Sequence, residues 1–194
     1  MQDYWKDFTV VEDGSESLGG NLHHGDTNAI TPGFWRYLVD RFSVRTLLDI
    51  GSGEGHAPYV FHRLGVIAHG IDGLERNVRN AKYPIALHDL TKGPYIFPCD
   101  MTHCVEVAEH IEPAHVGNLM RTLINGSVVV MTHGLPGQSG HHHVNNQPQE
   151  YWVEKFDQQG FTLSIDNELF RDIAVRDVPN CYFSKSGLVF LRRS

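Results

Sequence analysis

The residues of this chain that are best equipped for chemistry begin at Asp49-Ile50-Gly51-Ser52-Gly53-Glu54-Gly55, where an apolar run breaks into glycine at every second position. Glycine admits positive φ and leaves the main chain bare, so a ligand can approach where a Cβ would clash. A hydrophobic run ending in such a loop predicts a buried strand that turns into a helix. Seventeen residues beyond Gly55, a second apolar run from Val66 to Ile71 ends in Asp72-Gly73. A carboxylate at the tip of the neighbouring strand is placed to accept hydrogen bonds from the two hydroxyls of a ribose. Together these features predict the nucleoside-binding half of an α/β fold.

The spacing also selects among nucleosides. A dinucleotide loop needs Gly-x-Gly-x-x-Gly so that pyrophosphate meets a helix N-terminus. Here the third glycine comes one place early, and His56 stands where that pattern wants glycine. Asp49 would repel a pyrophosphate and suits a ligand that carries positive charge. The pattern Asp-x-Gly-x-Gly-x-Gly with a later strand-end acid resembles the class I (Rossmann-like) S-adenosylmethionine-dependent methyltransferases, and the likeness runs from about residue 31 to 192. It implies S-adenosyl-L-methionine as cofactor, with Gly51, Ser52, Gly53 and Gly55 framing its methionine moiety and Asp72 and Gly73 at the ribose. It places Asp89 at the adenine and lets Leu90 offer the ring an apolar or backbone contact. Asp89 also has a plainer reading, as a cap for the turn at Thr91-Lys92-Gly93-Pro94.

A second group, Glu106-Val107-Ala108-Glu109-His110, resembles the corresponding segment of two branches of that family, the ubiquinone-biosynthesis O-methyltransferases and the small-RNA 2′-O-methyltransferases. The likeness implies that Glu106, Glu109 and His110, with one further histidine, hold Mg²⁺ or another divalent cation, and that Glu106 also borders the cofactor. On a helical turn these three residues are three and four apart and share a face. Two carboxylates and an imidazole with open positions suit such an ion, which lowers the pKa of a bound hydroxyl. The further histidine comes from Gly140-His141-His142-His143; His143 is favoured, with His141 and His142 as competitors. A histidine not bound to metal has a pKa suited to general-base work, so the candidate catalytic residues are His110, His143 and Glu109. The plainer alternative is that these acids and imidazoles merely satisfy a helix start. His133 is expected to cap the end of a strand.

These groups require elements to hold them. A helix is predicted from Thr31-Pro32, with proline at its first position. Strands follow at about 45–50, 66–72, 84–88, 101–107 and 127–131, with helices at 55–64, 74–82, 114–123 and 148–159 between or after them. A strand at 161–165 and a last one at 187–191 are expected to close the chain as a hairpin-like end. The alternation argues for a parallel sheet covered on both faces, with ligands at the strands' carboxyl ends. With the family likeness, the expected fold is α/β, Rossmann-like and doubly wound, a mostly parallel seven-stranded sheet with an antiparallel last strand. Residues 31–194 form one domain. Residues 1–30, with Gly19-Gly20-Asn21 and His23-His24-Gly25-Asp26, are a leader or a lid.

Composition narrows the partners. The 194 residues carry a formal charge of −7, which offers no broad footprint for nucleic acid. A small-molecule or sugar-like hydroxyl is therefore the expected acceptor, and RNA ribose the runner-up. No stretch has the apolar length of a membrane span, nor the start the plan of a signal peptide. Cys99, Cys104 and Cys181 are odd in number and unpaired in spacing, which fits reduced thiols in a cytoplasm. A cofactor-binding protein without catalysis is the rival from another class.

Overall fold

The computed structural model describes residues 11–12 and 22–193. Gly19, Gly20 and Asn21, part of the expected leader or lid, lie outside the described residues. Two short strands, β1 (Val11–Glu12) and β2 (Leu22–His23), pair antiparallel. The chain then alternates through α1 (Pro32–Phe42), β3 (Thr46–Ile50), α2 (His56–Arg63), β4 (Ile67–Asp72), α3 (Glu75–Asn80) and β5 (Ile85–Leu87). It continues through β6 (Met101–Cys104), α4 (Val116–Leu123), β7 (Val128–Met131), α5 (Gln149–Asp157), β8 (Phe161–Leu163), α6 (Asn167–Asp177), α7 (Phe183–Ser186) and β9 (Leu188–Arg192). The strands from β3 to β9 form one seven-stranded sheet in the order β5-β4-β3-β6-β7-β9-β8. β9 alone runs against the rest, antiparallel to both β7 and β8.

Strand periodicity divides the core. Leu47, Val128 and Val130 face one layer with Trp35, Phe61 and Phe170 from α1, α2 and α6. Leu48, Val129 and Met131 face the other, with Leu119, Trp152 and Phe156 from α4 and α5. Both faces of the sheet are thus covered, and the strands read as near-continuous apolar runs for that reason.

Three expectations change. The hairpin-like end from Phe161 to Leu191 is instead two strands separated by α6 and α7, with β9 slotted between β7 and β8. The strand expected over 101–107 ends at Cys104, because Glu106 adopts φ +57°, a left-handed conformation no strand tolerates. At α1, Thr31 holds the N-cap position, but its hydroxyl makes no capping bond. Asp177, at the end of α6, supplies the cap, its Oδ2 accepting from Gly33 N at 2.7 Å and Phe34 N at 3.1 Å. No helix of the described residues is long and apolar enough to cross a membrane.

The strand order reverses between β3 and β6, which sit side by side but are followed by crossovers to opposite edges. Their carboxyl ends diverge there and leave a crevice, the usual ligand site of a doubly wound sheet. The loop after β3 and the segment after β6 are the two groups singled out in the sequence.

Candidate active site

The glycine loop after β3 is built as the spacing requires. Gly51, Gly53 and Gly55 all have positive φ, at +67°, +53° and +72°. A Cβ at Gly51 would run into the side chain of Val107, and one at Gly55 into the carbonyl of Tyr83. Gly53 differs, since a Cβ there would meet nothing within 4 Å. That empty space is the crevice, and only the backbone conformation demands glycine at this position. Ser52 ties the loop down, donating its N–H to Ile71 O at 2.9 Å and its hydroxyl to Asp49 O at 3.0 Å.

Asp72 caps β4 and takes three donors: Gly53 N at 2.8 Å on Oδ2, and Leu74 N at 2.9 Å and Asn77 Nδ2 at 3.0 Å on Oδ1. A carboxylate offers about four acceptor positions, so one remains open on Oδ2. Burial pushes the Asp72 carboxyl above its ordinary range even though these hydrogen bonds pull the other way. Asp72 and Gly73 line a narrow cleft of about 110 Å³ with Gly51, Gly53, His88 and Leu90.

Two sequence-predicted cofactor residues make hydrogen bonds within the protein. Asp89 does not line that cleft, although its neighbours His88 and Leu90 do. Its Oδ1 accepts from Thr91 N at 2.8 Å and from the Thr91 hydroxyl at 2.7 Å. Partial burial opposes ionisation, but the Thr91 bonds and the Lys92 ammonium hold this carboxyl below its usual range. Asp89 is the cap of the turn. Asp49 borders the crevice, yet its Oδ1 is bonded to His103 Nδ1 at 2.6 Å beneath the loop. His103, edge-on to Trp35 and Phe61, is the partner the sequence did not suggest. Its cross-strand position opposite Asp49 follows only from the β3–β6 register.

The segment after β6 does form a helical turn, a single 3₁₀ turn over Ala108–His110. Glu106 precedes it, held in its left-handed conformation by Thr132, whose hydroxyl accepts from Glu106 N at 2.8 Å and donates to Glu106 Oε1 at 2.9 Å. Left-handed non-glycine residues are uncommon and gather at functional sites. Burial raises the Glu106 carboxyl above its ordinary range, Asp26 adding to this while the Thr132 hydroxyl and Lys185 oppose it.

Glu109 is 0% exposed, and no donor in the protein meets either carboxylate oxygen; the group that faces it is the Glu106 carboxyl, with which it can share a proton. Burial, followed by the neighbouring Glu106 carboxylate, pushes it up to about 8. One ligand atom each from Glu109, His110 and His143 lies within 4.8 Å of the others. Glu106 is outside that set of three and adjoins it through Glu109. Of the three consecutive histidines, His143 is therefore the one brought to His110, with their rings edge-on at 5.2 Å.

Backbone hydrogen bonds bring the two segments together. Val144 N and Asn145 N both donate to Glu109 O, at 2.9 and 3.0 Å. His110 Nδ1 donates to His142 O at 3.2 Å, which leaves Nε2 as the free ring nitrogen. His142 holds that carbonyl in place from φ +52°. Gly140 and Gly134 are required by close approach, because a Cβ on Gly140 would strike the His143 ring and one on Gly134 the Asn146 side chain. Burial drives the His110 imidazole down to about 4 despite the His142 carbonyl, with His143 lowering it further. The ring is thus neutral at pH 7, the form that ligates a metal and a weak proton acceptor. His133, expected to cap a strand end, is buried past the end of β7, its N–H on Ser186 Oγ at 3.3 Å.

The sheet order, the crevice at β3/β6 and the glycine loop with its strand-end acid make this the Rossmann-like fold of the class I S-adenosylmethionine-dependent methyltransferases. Solved structures share it. The sugar N-methyltransferase KedS8 from Streptoalloteichus sp ATCC 53650 aligns with TM-score 0.63 at 14% identity over 88% of this chain and 90% of that one. The methyltransferase domain of bacterial CtHen1-C aligns with TM-score 0.58 at 16% identity over 84% and 97%. The [4+2]-cyclase SpnF also aligns, with TM-score 0.54 at 14% identity over 82% and 80%. No protein-family model matches the sequence, and no curated protein does. One fold thus carries different chemistries, and function must be argued from the site.

Proposed function

We propose that this protein is an S-adenosylmethionine-dependent methyltransferase that methylates a hydroxyl of a small or sugar-like molecule with help from a divalent cation. The observation that carries the reading is Glu109, a fully buried carboxylate with two bare oxygens, grouped with the imidazoles of His110 and His143. Those imidazoles line the same cleft, of about 450 Å³, that the glycine loop opens. An unpartnered buried carboxylate costs several kcal/mol unless it holds a proton or a cation. Mixed carboxylate and imidazole donors suit Mg²⁺, Mn²⁺, Fe²⁺ or Zn²⁺. Glu109, His110 and His143 would hold the ion, and Glu106 completes the set from the adjoining position.

When bound, the cofactor supplies a methyl group already activated by its sulfonium charge, and the ion supplies Lewis acidity toward an acceptor hydroxyl. The protein's own part is alignment and a dry surrounding. Gly53 leaves room at the loop, Asp72 keeps one acceptor position for the ribose, and Leu90 offers an apolar edge. His110 and His143, neutral at the rim, orient donors and do not store protons. The acceptor's proton then passes to solvent, since Glu109 would be committed to the ion and His110 is a weak proton acceptor.

RNA as acceptor is disfavoured by the lining of the crevice. The 450 Å³ cleft and the 110 Å³ cleft contain no Lys or Arg among their described lining residues. A protein that grips several phosphates needs several cations.

The test is a pair of titrations. S-adenosylhomocysteine should bind the purified protein without added metal, and Mg²⁺ or Mn²⁺ should bind independently and be lost in Glu109→Ala. A protein that binds neither cofactor nor product would end the proposal, and turnover that survives exhaustive chelation would remove the metal from it.

A further inference from the structure

Asp49 and Glu54 bracket the glycine loop, and both are buried, at 3% and 5% exposed. Each carboxyl is tied down by one oxygen only. Asp49 Oδ1 lies 2.6 Å from His103 Nδ1, and Glu54 Oε2 accepts from His24 N at 2.7 Å. Two imidazoles stand near that same Glu54 oxygen, His56 Nε2 at 3.7 Å and His24 Nδ1 at 3.9 Å. The other oxygens, Asp49 Oδ2 and Glu54 Oε1, are buried and met by no donor in the protein. Both residues line the 450 Å³ cleft.

A buried acceptor left without a donor is costly, so each bare oxygen calls for one. Two of them on acids that flank one loop and line one cavity suit a positively charged group with several N–H donors. An ammonium has three donors and no acceptor. A metal ion fits less well, because the described residues group their ligand atoms at Glu109, His110 and His143 and not here.

The same wall offers a carboxylate very little. Asp26 and Glu106 line the cleft as well, and no Lys or Arg does among the described residues. Burial holds the His56 imidazole below its ordinary range despite Glu54, so it is neutral at pH 7. Lys82 acts on His56 from outside this lining and is itself exposed. His103 is engaged with Asp49, and His110 and His143 face the proposed ion. The start of α2 is short of a donor too, because its third residue is Pro58, which has no N–H.

We propose that this cleft reads the tail of its adenosyl ligand as an amine and rejects a carboxylate, with Asp49 Oδ2 and Glu54 Oε1 accepting from the ammonium. The chain then favours a decarboxylated ligand, with an aminopropyl group on sulfur, over one with the full amino-acid tail of S-adenosylmethionine. The inference rests on the reading that the glycine loop and Asp72 hold an adenosyl ligand, and it narrows the class of that ligand. S-adenosylhomocysteine still binds, through its nucleoside and its amine, and its carboxylate is a net cost.

Three probes test this by calorimetric titration into the full chain with Mg²⁺ at neutral pH. They are S-adenosylhomocysteine, 5′-S-(3-aminopropyl)-5′-thioadenosine, which lacks only the carboxylate, and 5′-methylthioadenosine, which lacks both charged groups. The aminopropyl compound should bind about tenfold tighter than either of the others. Glu54→Gln and Asp49→Asn each keep an oxygen for His24 N or His103 and replace the bare one with an amide. Each should weaken the aminopropyl compound about fivefold and leave 5′-methylthioadenosine within twofold, which also shows that the site is intact. S-adenosylhomocysteine binding as tightly as the aminopropyl compound would overturn the rejection of carboxylate. Equal binding of the aminopropyl compound and 5′-methylthioadenosine would overturn the reading of the amine. Variants that weaken all three probes by one factor would overturn the assignment to these two acids. Failure of all three to bind the native protein is a separate result and sinks the underlying reading instead.

Discussion

The two halves of the crevice solve opposite problems with the same functional group. In the cofactor half, the Asp72 carboxylate is met by three protein donors and keeps one acceptor position. In the other half, the Glu109 carboxylate is more deeply buried and is met by none. Asp72 is thus part of the scaffold, fastening the glycine loop to β4 while reserving a little capacity for ligand. Glu109 is incomplete without a proton or a cation. A saturated carboxylate positions a site, and a starved one recruits to it.

The largest effect should come from removing the starved group. Glu109→Ala is expected to lower kcat/KM by roughly 10²–10³-fold and abolish metal binding, with S-adenosylhomocysteine affinity unchanged within twofold. A parallel loss of cofactor affinity would erase the contrast between the halves.

The second effect is one of stability in metal-free protein. Glu109 stands near 8 in the fold, against about 4.5 when unfolded, because burial and Glu106 disfavour its charge. The native state therefore holds the extra proton between these values, and stability falls as pH rises through that window. Glu109→Gln should be more stable than the native sequence at pH 9 by up to about 5 kcal/mol, with the gap closing below pH 4.5. Denaturant titrations at the two pH values check this, and a gap independent of pH would mean that Glu109 is not starved. By the same linkage, Mg²⁺ must displace that proton, so metal affinity should rise with pH up to about 8.

Asp72→Ala is next, with an expected loss of about 1–3 kcal/mol in cofactor binding, read by titration with S-adenosylhomocysteine. It would remove the proposed ribose contact and also free Gly53 N. Asp89→Ala should be smallest, leaving cofactor affinity within twofold and costing about 0.5–1 kcal/mol of stability as a lost turn cap. A large affinity loss there would support the adenine contact over a turn cap alone.

What could be read in the sequence was whatever short spacing encodes. The glycine loop, the acid at the end of β4 and the three-and-four spacing of Glu106, Glu109 and His110 are local patterns, and the structure places Gly51, Gly53, Asp72, Glu106 and His110 in the walls of the adjoining clefts, with Glu109 fully buried and outside their lining. The β-α alternation likewise specified the parallel sheet. Features that depend on distant partners were not readable. The cap of α1 comes from Asp177, and the partner of Asp49 is His103 across the sheet. Three adjacent histidines look alike in one dimension; His143 is distinguished only once Val144 and Asn145 dock on Glu109 O. Asp89 had a turn reading and a ligand reading from the same four residues, and only its hydrogen bonds show that it caps the turn. α6 was hidden for a different reason. Asn167–Asp177 is largely polar, and its three apolar contacts Phe170, Ile173 and Ala174 are too few to stand out from the strands on either side.

The slot of β9 between β7 and β8 has a consequence for synthesis. Domains emerge amino end first and fold as they emerge, but β8 hydrogen-bonds to no strand other than β9. Residues 149–163 therefore have no sheet to join until residues 188–192 have left the ribosome, and β7 is an open edge for the same interval. An exposed edge of Val128, Val129, Val130 and Met131 is a template for pairing with another nascent chain. A ribosome paused between residues 163 and 188 would thus hold the most aggregation-prone form of this protein, although Asp72, Glu109, His110 and His143 are already made.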